Sequence, residues 1–239
     1  MIRGIAFDKD GVLVDFDRTW VQLLLDLAAE RANGDGEKNL RLLSVAGYDT
    51  ASNSFVSGSV WAAGTTQDLV DVWDETGDEG ERQKLAAFIN QRCLDCEIIP
   101  LFPRTQLQGL FGGLAGEGLL LGLTTNDGEA SAKQTMDDFG LSPFLSLVVG
   151  YDSVKNPKPA ADQVLSFCQH SGLRVEEMMV VGDNLHDMEM AAAAGVAMSI
   201  GVSSGNCSAE ELQPMADFVL DSVMDLPQLL QSENLIEKT

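Results

Sequence analysis

Asp8 and Asp10 stand two residues apart, directly after the apolar run Gly4-Ile5-Ala6-Phe7 and just before Gly11-Val12-Leu13. Alternation along an extended chain puts residues i and i+2 on one face. Two carboxylates can therefore be aimed at one spot where a buried strand ends, and Gly11 lets the chain turn away tightly. Such a pair is costly unless a cation or a proton lies between its members. The chemistry that fits is Mg²⁺-assisted phosphoryl transfer.

Ligands of open α/β sheets gather beyond the carboxyl ends of the strands, so the residues after each expected strand carry the next candidates. Strand 119–123 is followed by Thr124, Thr125 and Asn126, two hydroxyls and an amide. Strand 145–149 is followed by Lys155, Lys158 and Pro159, ahead of a helix. Strand 178–181 is followed by Gly182-Asp183-Asn184-Leu185-His186-Asp187, with its acids four apart. Each alone has a bland explanation, as a turn, a helix start or a cap. Together, four strand ends offer an acid pair, a hydroxyl, a lysine and a second acid pair.

Elements must hold these groups in place. Residues 2–8 read as a buried strand. Residues 20–32 carry Val21, Leu24, Leu25, Leu27 and Ala28 at helical spacing, and Leu40, Leu42, Leu43 and Ala46 suggest a short helix stopped at Gly47. Residues 49–64 read as a loop rich in Ser, Asn and Gly. Thr65 or Thr66 can cap a helix with Leu69, Val70 and Trp73, and residues 82–94 form another with Leu85, Phe88 and Ile89. From residue 107 onward, strands of four to six residues (119–123, 145–149, 178–181, 196–200 and 216–220) alternate with helices. That pattern marks a parallel sheet covered on both faces, which residues 2–8 complete. An α/β core of residues 1–16 and 96–239 is expected, with residues 17–95 inserted as an all-helical cap.

The 239 residues, 45% hydrophobic, suffice for one large domain or two unequal ones. Acidic residues number 37 against 15 basic, a formal net charge of -22. Such a field repels nucleic acid and anionic lipid. It also opposes an anionic substrate, so a phosphate site needs a local cation and aimed N–H groups. Cys93, Cys96, Cys168 and Cys207 suggest ordinary thiols rather than a disulfide framework. The N-terminus enters a core-like strand at once, and no apolar segment reaches the roughly 18 residues of a membrane span. A cytoplasmic protein is expected, with no nucleic-acid or membrane partner; the sequence leaves the oligomeric state open.

The ordered motifs resemble those of the haloacid dehalogenase-like hydrolase superfamily. Phe7-Asp8-Lys9-Asp10-Gly11-Val12-Leu13 is similar to its first motif, Leu123-Thr124-Thr125-Asn126 to its second, Lys158-Pro159 to its third, and Val181-Gly182-Asp183-Asn184-Leu185-His186-Asp187 to its fourth. The resemblance spans nearly the whole chain and implies a Rossmann-like core. Its helical insertion resembles the cap of phosphoglycolate phosphatase-like and β-phosphoglucomutase-like members. It implies that Asp8 is the nucleophile and Asp10 the general acid and then base. Asp183 would bind Mg²⁺ with the Asp8 side chain and the Asp10 backbone carbonyl, and Asp187 would sit in the water shell or orient a ligand. Thr125 would donate to a phosphoryl oxygen, assisted by Asn126, and Lys158 would supply positive charge. Thr124 and Lys155 are rivals for the last two roles. Ala161 departs from the family's second proline. Lys9 departs too, in a slot usually apolar or aromatic; alternating away from Asp8 and Asp10, it is expected to snorkel to solvent rather than serve as a cap-facing cation.

The implied activity is hydrolysis of a small phosphorylated metabolite, phosphoglycolate or a sugar phosphate, through an aspartyl-phosphate. A phosphosugar mutase and a non-catalytic phosphate-ligand binding protein are the alternatives. Specificity is expected in the cap, where Arg18, Trp20, Arg41, Ser57, Ser59 and Trp61 are candidates. Against this, Trp20 and Trp61 could be cap core, and Arg18 could pair with Asp15 or Asp17.

Overall fold

The structure, a computed structural model, describes residues 1–56 and 58–236. Strand β1 (Gly4–Phe7) is followed by α1 (Phe16–Ala32), α2 (Gly36–Ala46), a small hairpin of β2 (Tyr48–Asp49) and β3 (Ser54–Phe55), α3 (Val60–Ala63), α4 (Thr66–Trp73) and α5 (Glu79–Leu94). Then come α6 (Arg104–Gly116), β4 (Leu120–Thr124), α7 (Glu129–Phe139), β5 (Leu145–Val149), α8 (Asp162–Ser171), β6 (Met178–Gly182) and α9 (Leu185–Ala194). Strand β7 (Met198–Val202), α10 (Ala209–Leu212), β8 (Phe218–Leu220) and α11 (Leu226–Ser232) complete the order.

The strands form a six-stranded parallel sheet in the order β5-β4-β1-β6-β7-β8. Strand β1 lies centrally, with Gly4 opposite Leu120 on one side and Met178 on the other. Its residues, like those of β6, are buried throughout, because helices cover both faces of the sheet. Ile5, Phe7, Leu121, Leu123, Met179 and Val181 face α6, α7 and α11, through residues such as Phe111, Met136 and Leu226. Ala6, Met178 and Val180 face α8 and α9, through Val164, Phe167 and Met190. This is the Rossmann-like α/β core with a helical cap inserted after β1.

Residues of the insertion gather around their own apolar cluster, which includes Trp20, Leu24, Leu27, Leu43, Leu69, Trp73 and Ile89. Two chain crossings join it to the sheet, and they bond to each other: Asp15 N–H donates to Ile99 O and Leu101 N–H to Leu13 O, both at 2.9 Å. Ile98 packs against both clusters.

The insertion is not all helical. Tyr48 pairs with Phe55 and Asp49 with Ser54, the two rings packing at 5.3 Å, so a hairpin occupies the start of the segment 49–64 expected as loop and the residue before it. Strands of two residues are too short to show a period of two. Helices α1 and α5 also begin earlier than apolar spacing suggests. Their first turns are polar and are fixed instead by the caps Asp15 and Asp78, which accept from Arg18 N–H and Glu81 N–H. Thr65 caps α4 in a reciprocal box with Asp68.

All three tryptophans lie in the insertion, and Trp73, 1% exposed, donates its indole N–H to Leu42 O at 2.9 Å. Trp73→Ala should lower stability by about 3–5 kcal/mol. Urea unfolding followed by the fluorescence of Trp20 and Trp61 measures it, and an unchanged midpoint would contradict the packing described.

Candidate active site

Beyond Phe7 the chain leaves strand geometry. Leu13 and Val14 N–H groups donate to the Lys9 carbonyl at 2.9 and 3.0 Å, closing a tight loop over residues 8–14. Asp8 stays beside β6, its N–H donating to Val181 O at 2.8 Å. Lys158 Nζ donates to Asp8 Oδ1 and to Asp187 Oδ1, each at 2.6 Å. Asp183 joins them: one oxygen from each of Asp8, Asp183 and Asp187 lies within 4.8 Å of the others, all three residues buried. Room for Asp183 depends on Gly11, at φ 73°, and Gly205, where a Cβ would collide with its carboxylate. Asn206 N–H donates to Asp183 Oδ2 at 2.8 Å.

Burial pushes the Asp8 carboxyl up to about 7; Lys158 opposes the rise, and Asp187 and Asp10 add to it. Burial, with Asp8 and Asp187 nearby, raises Asp183 well above the usual carboxylate range. Burial disfavours ionised Asp187 as well, but Lys158, His186 and the Asn184 N–H together outweigh it and hold that carboxyl low. Burial likewise disfavours the Lys158 ammonium, and Asp187 and Asp8 more than restore it. One ammonium is thus bonded to two carboxylates, with a third beside them. Buried oxygen donors only, grouped this closely and short of positive charge, suit a small hard divalent cation.

A second charged cluster adjoins the first. Lys9 is 0% exposed, its ammonium donating to Asp127 Oδ2 at 2.8 Å and lying 3.1 Å from Asp10 Oδ2 and 4.8 Å from the centre of the Trp20 ring. The expected snorkel to solvent is overturned, because the alternation behind it ends with β1 at Phe7. Trp20 Nε1 donates to Asp10 Oδ1 at 2.5 Å, so both Asp10 oxygens are engaged. Burial raises the Asp10 pKa, with Lys9 opposing. Asp127, which also accepts from Ser131 at 2.7 Å, did not stand out from the sequence. Its signal was a lysine inside a carboxylate motif, which calls for a second counter-charge if it is buried.

Both clusters border a cavity with about 670 Å³ of empty space, part of it open solvent. Its floor includes Asp8, Asp10, Thr125, Asn126, Asp127, Asp183 and His186; its roof, from the insertion, includes Phe16, Trp20, Val60, Trp61, Ala63, Leu69 and Ile89. Thr125 borders the cavity, while the neighbouring Thr124 hydroxyl donates to Phe7 O at 3.4 Å. Lys158 is buried and Lys155 exposed. The Asn126 amide donates to Ala63 O of the cap at 2.8 Å and to Lys158 O at 3.3 Å, joining cap and core.

Of the cap candidates, Trp20 and Trp61 border the cavity and pack edge to face at 6.4 Å. Trp20 also belongs to the cap's apolar cluster, and Trp61 packs against it. Arg18 and Arg41 do not reach the cavity. Their side chains are 69% and 57% exposed; Arg18 lies 3.7 Å from Asp15, and Arg41 pairs with Glu75. Helical spacing does not tell which face of α1 or α2 looks inward. Ser59 packs against Gly47 away from the lining, its hydroxyl without a partner. Ser57 lies outside the described residues.

A sequence profile of the haloacid dehalogenase-like hydrolases matches residues 2–195. The chain belongs to this family of hydrolases. Phosphoglycolate phosphatase of Salmonella typhi is 29% identical over 244 aligned residues, which cover 94% of this chain and 91% of that one. Among solved structures, a protein from Bacteroides fragilis assigned to the haloacid dehalogenase-like hydrolases superposes with a TM-score of 0.71 at 19% identity, covering 95% of this chain and 100% of the other. A Thermotoga maritima protein assigned as a β-phosphoglucomutase gives 0.63 at 17%, covering 97% and 99%. Both likenesses concern the fold.

Two tests follow from the charges. Lys9→Met strands Asp10 and Asp127 without their cation and should cost about 3–5 kcal/mol in chemical denaturation; an unchanged stability would mean that the ammonium compensates neither acid. Burial lowers the His186 pKa from 6.5 to about 4, so the unfolded chain binds the extra proton first as pH falls. Wild type should therefore lose up to about 3 kcal/mol relative to His186→Gln between pH 6.5 and 4, and little more below. Parallel stability curves for the two proteins would refute the assignment.

Proposed function

We propose that the protein is a Mg²⁺-dependent phosphatase that hydrolyses a small phosphate monoester through an aspartyl-phosphate on Asp8. The observation that carries this is the Asp8–Lys158–Asp187 arrangement with Asp183 beside it, at the edge of a cavity roofed by the insertion. The phosphoglycolate phosphatase relative supports a small phosphate ester as the substrate class.

In this reading an Asp8 oxygen attacks phosphorus and the bond to the leaving alcohol breaks, with Asp10 giving its proton to the alcohol oxygen. Water then attacks the phosphoryl group while Asp10 takes a proton, and inorganic phosphate and free Asp8 result. Thr125 and Asn126 contact the phosphoryl oxygens, and Lys158 offsets their charge while holding Asp8 in line. Asp8, Asp183 and the Asp10 carbonyl would hold Mg²⁺, with Asp187 alongside; bound there, the ion screens one anion from another. Residues 17–95 act as the cap that excludes water, on a core of residues 1–16 and 96–239. The enzyme is read as cytoplasmic.

Release of phosphate, rather than its return to substrate as in a mutase, is favoured by the roof. A phosphosugar mutase must grip a second phosphate while its substrate turns, and the cap arginines Arg18 and Arg41 stand outside the cavity.

Asp8→Asn should abolish phosphate release from any monoester while leaving the circular dichroism spectrum unchanged; continued steady-state release would remove Asp8 from the reaction. Chelation of divalent ions should stop turnover and added Mg²⁺ should restore it, and turnover persisting in chelator would contradict the metal requirement.

A further inference from the structure

Building on the phosphatase reading, we propose that the site selects phosphate esters whose leaving alcohol is uncharged and largely apolar, and discriminates against esters carrying a second anion, phosphoglycolate among them. The juxtaposition that carries this is an apolar, aromatic roof over a floor whose cations are already committed.

The roof presents Phe16, Trp20, Val60, Trp61, Leu69 and Ile89 to the cavity, beside Thr65 and Thr66, whose hydroxyls already donate to Asp68 and Asn90, and the Cys93 thiol. None of the seven lysines and arginines in residues 17–95 lines it. Each is engaged elsewhere: Arg18 with Asp15, Lys38 and Arg41 with Glu75, Arg82 with Asp71 and Asp74, Lys84 with Glu81, Arg92 with Glu30, and Arg31 with the Trp73 carbonyl.

Beneath the floor, Lys158 is buried between Asp8 and Asp187 and bonded to both. Lys9 is fully buried and shared by Asp10 and Asp127. A carboxylate on the leaving group would therefore enter beside Asp10 and Asp127, and among the described residues no lysine or arginine lines the cavity to meet it; an unpaired buried charge is strongly disfavoured. One polar feature of the roof awaits a partner. Trp61 Nε1 is buried and unpaired, and a single neutral donor suits a neutral acceptor such as an ether or hydroxyl oxygen better than it offsets a full charge. Aromatic and branched groups gain most from such a wall.

The test compares kcat/KM, with Mg²⁺ present, for 2-phenylethyl phosphate, methyl phosphate and phosphoglycolate, all esters of unactivated alcohols. The phenylethyl ester should exceed phosphoglycolate by at least about 10-fold. Phosphoglycolate turned over equally well or better would overturn the substrate class and leave the phosphatase reading standing. No phosphate released from any ester would overturn that reading, and the substrate class with it. Trp61→Ala should reduce the preference for the phenylethyl over the methyl ester by about 10-fold. An unchanged ratio would show that the roof does not read the leaving group, again without touching the chemistry at Asp8.

Discussion

Three buried carboxylates meet at the carboxyl edge of the sheet with one ammonium bonded to two of them, and the rest of the architecture answers to that charge imbalance. Asp8 and Asp183 end adjacent parallel strands, so the register of β1 on β6 fixes their separation before any side chain chooses a rotamer. Lys158 reaches both Asp8 and Asp187 from the segment ahead of α8. Gly11 and Gly205 keep the space next to Asp183 free of side chains. Folding must therefore assemble this group while it is electrostatically underfilled, which is tolerable only because a large apolar core surrounds the central strands.

The sheet and its site were largely legible in the sequence for one reason. Buried parallel strands are short apolar runs, and the polar residues that follow them stand out by contrast. Phe7-Asp8, Leu123-Thr124-Thr125 and Val181-Gly182-Asp183 all show that change of composition within a few residues. The cap was legible only as helix. Its helical periodicity says how far apart residues lie along an axis, not which side looks inward, so Arg18 and Arg41 could not be told from Trp20 and Trp61. Lys9 departs from the expected snorkel because it lies two residues beyond the end of β1. Alternation holds within β1, but residues 8–14 form a loop stitched by the Lys9 carbonyl, and there a neighbour of two carboxylates can turn toward them. Asp127, its partner 118 positions away, is meaningful only once that turn is known.

Charge is distributed unevenly between the two lobes that meet at the cavity. Carboxylates outnumber the two buried lysines at and beneath the floor; the roof contributes mostly carbon, with two indoles and the side chains of Thr65, Thr66 and Cys93. In a molecule with a formal charge of -22, the two lysines buried at the site each bridge two carboxylates. Elsewhere, cap acids such as Glu75 and Glu30 pair with Arg41 and Arg92.

The Asn126 amide touches the Ala63 carbonyl of the insertion and the Lys158 carbonyl of the core. Lifting the lid must sever the first of these bonds, and the freed amide then rests on the lysine's own backbone alone. One side chain thus bridges the roof of the cavity and the backbone of the lysine that pairs with Asp8.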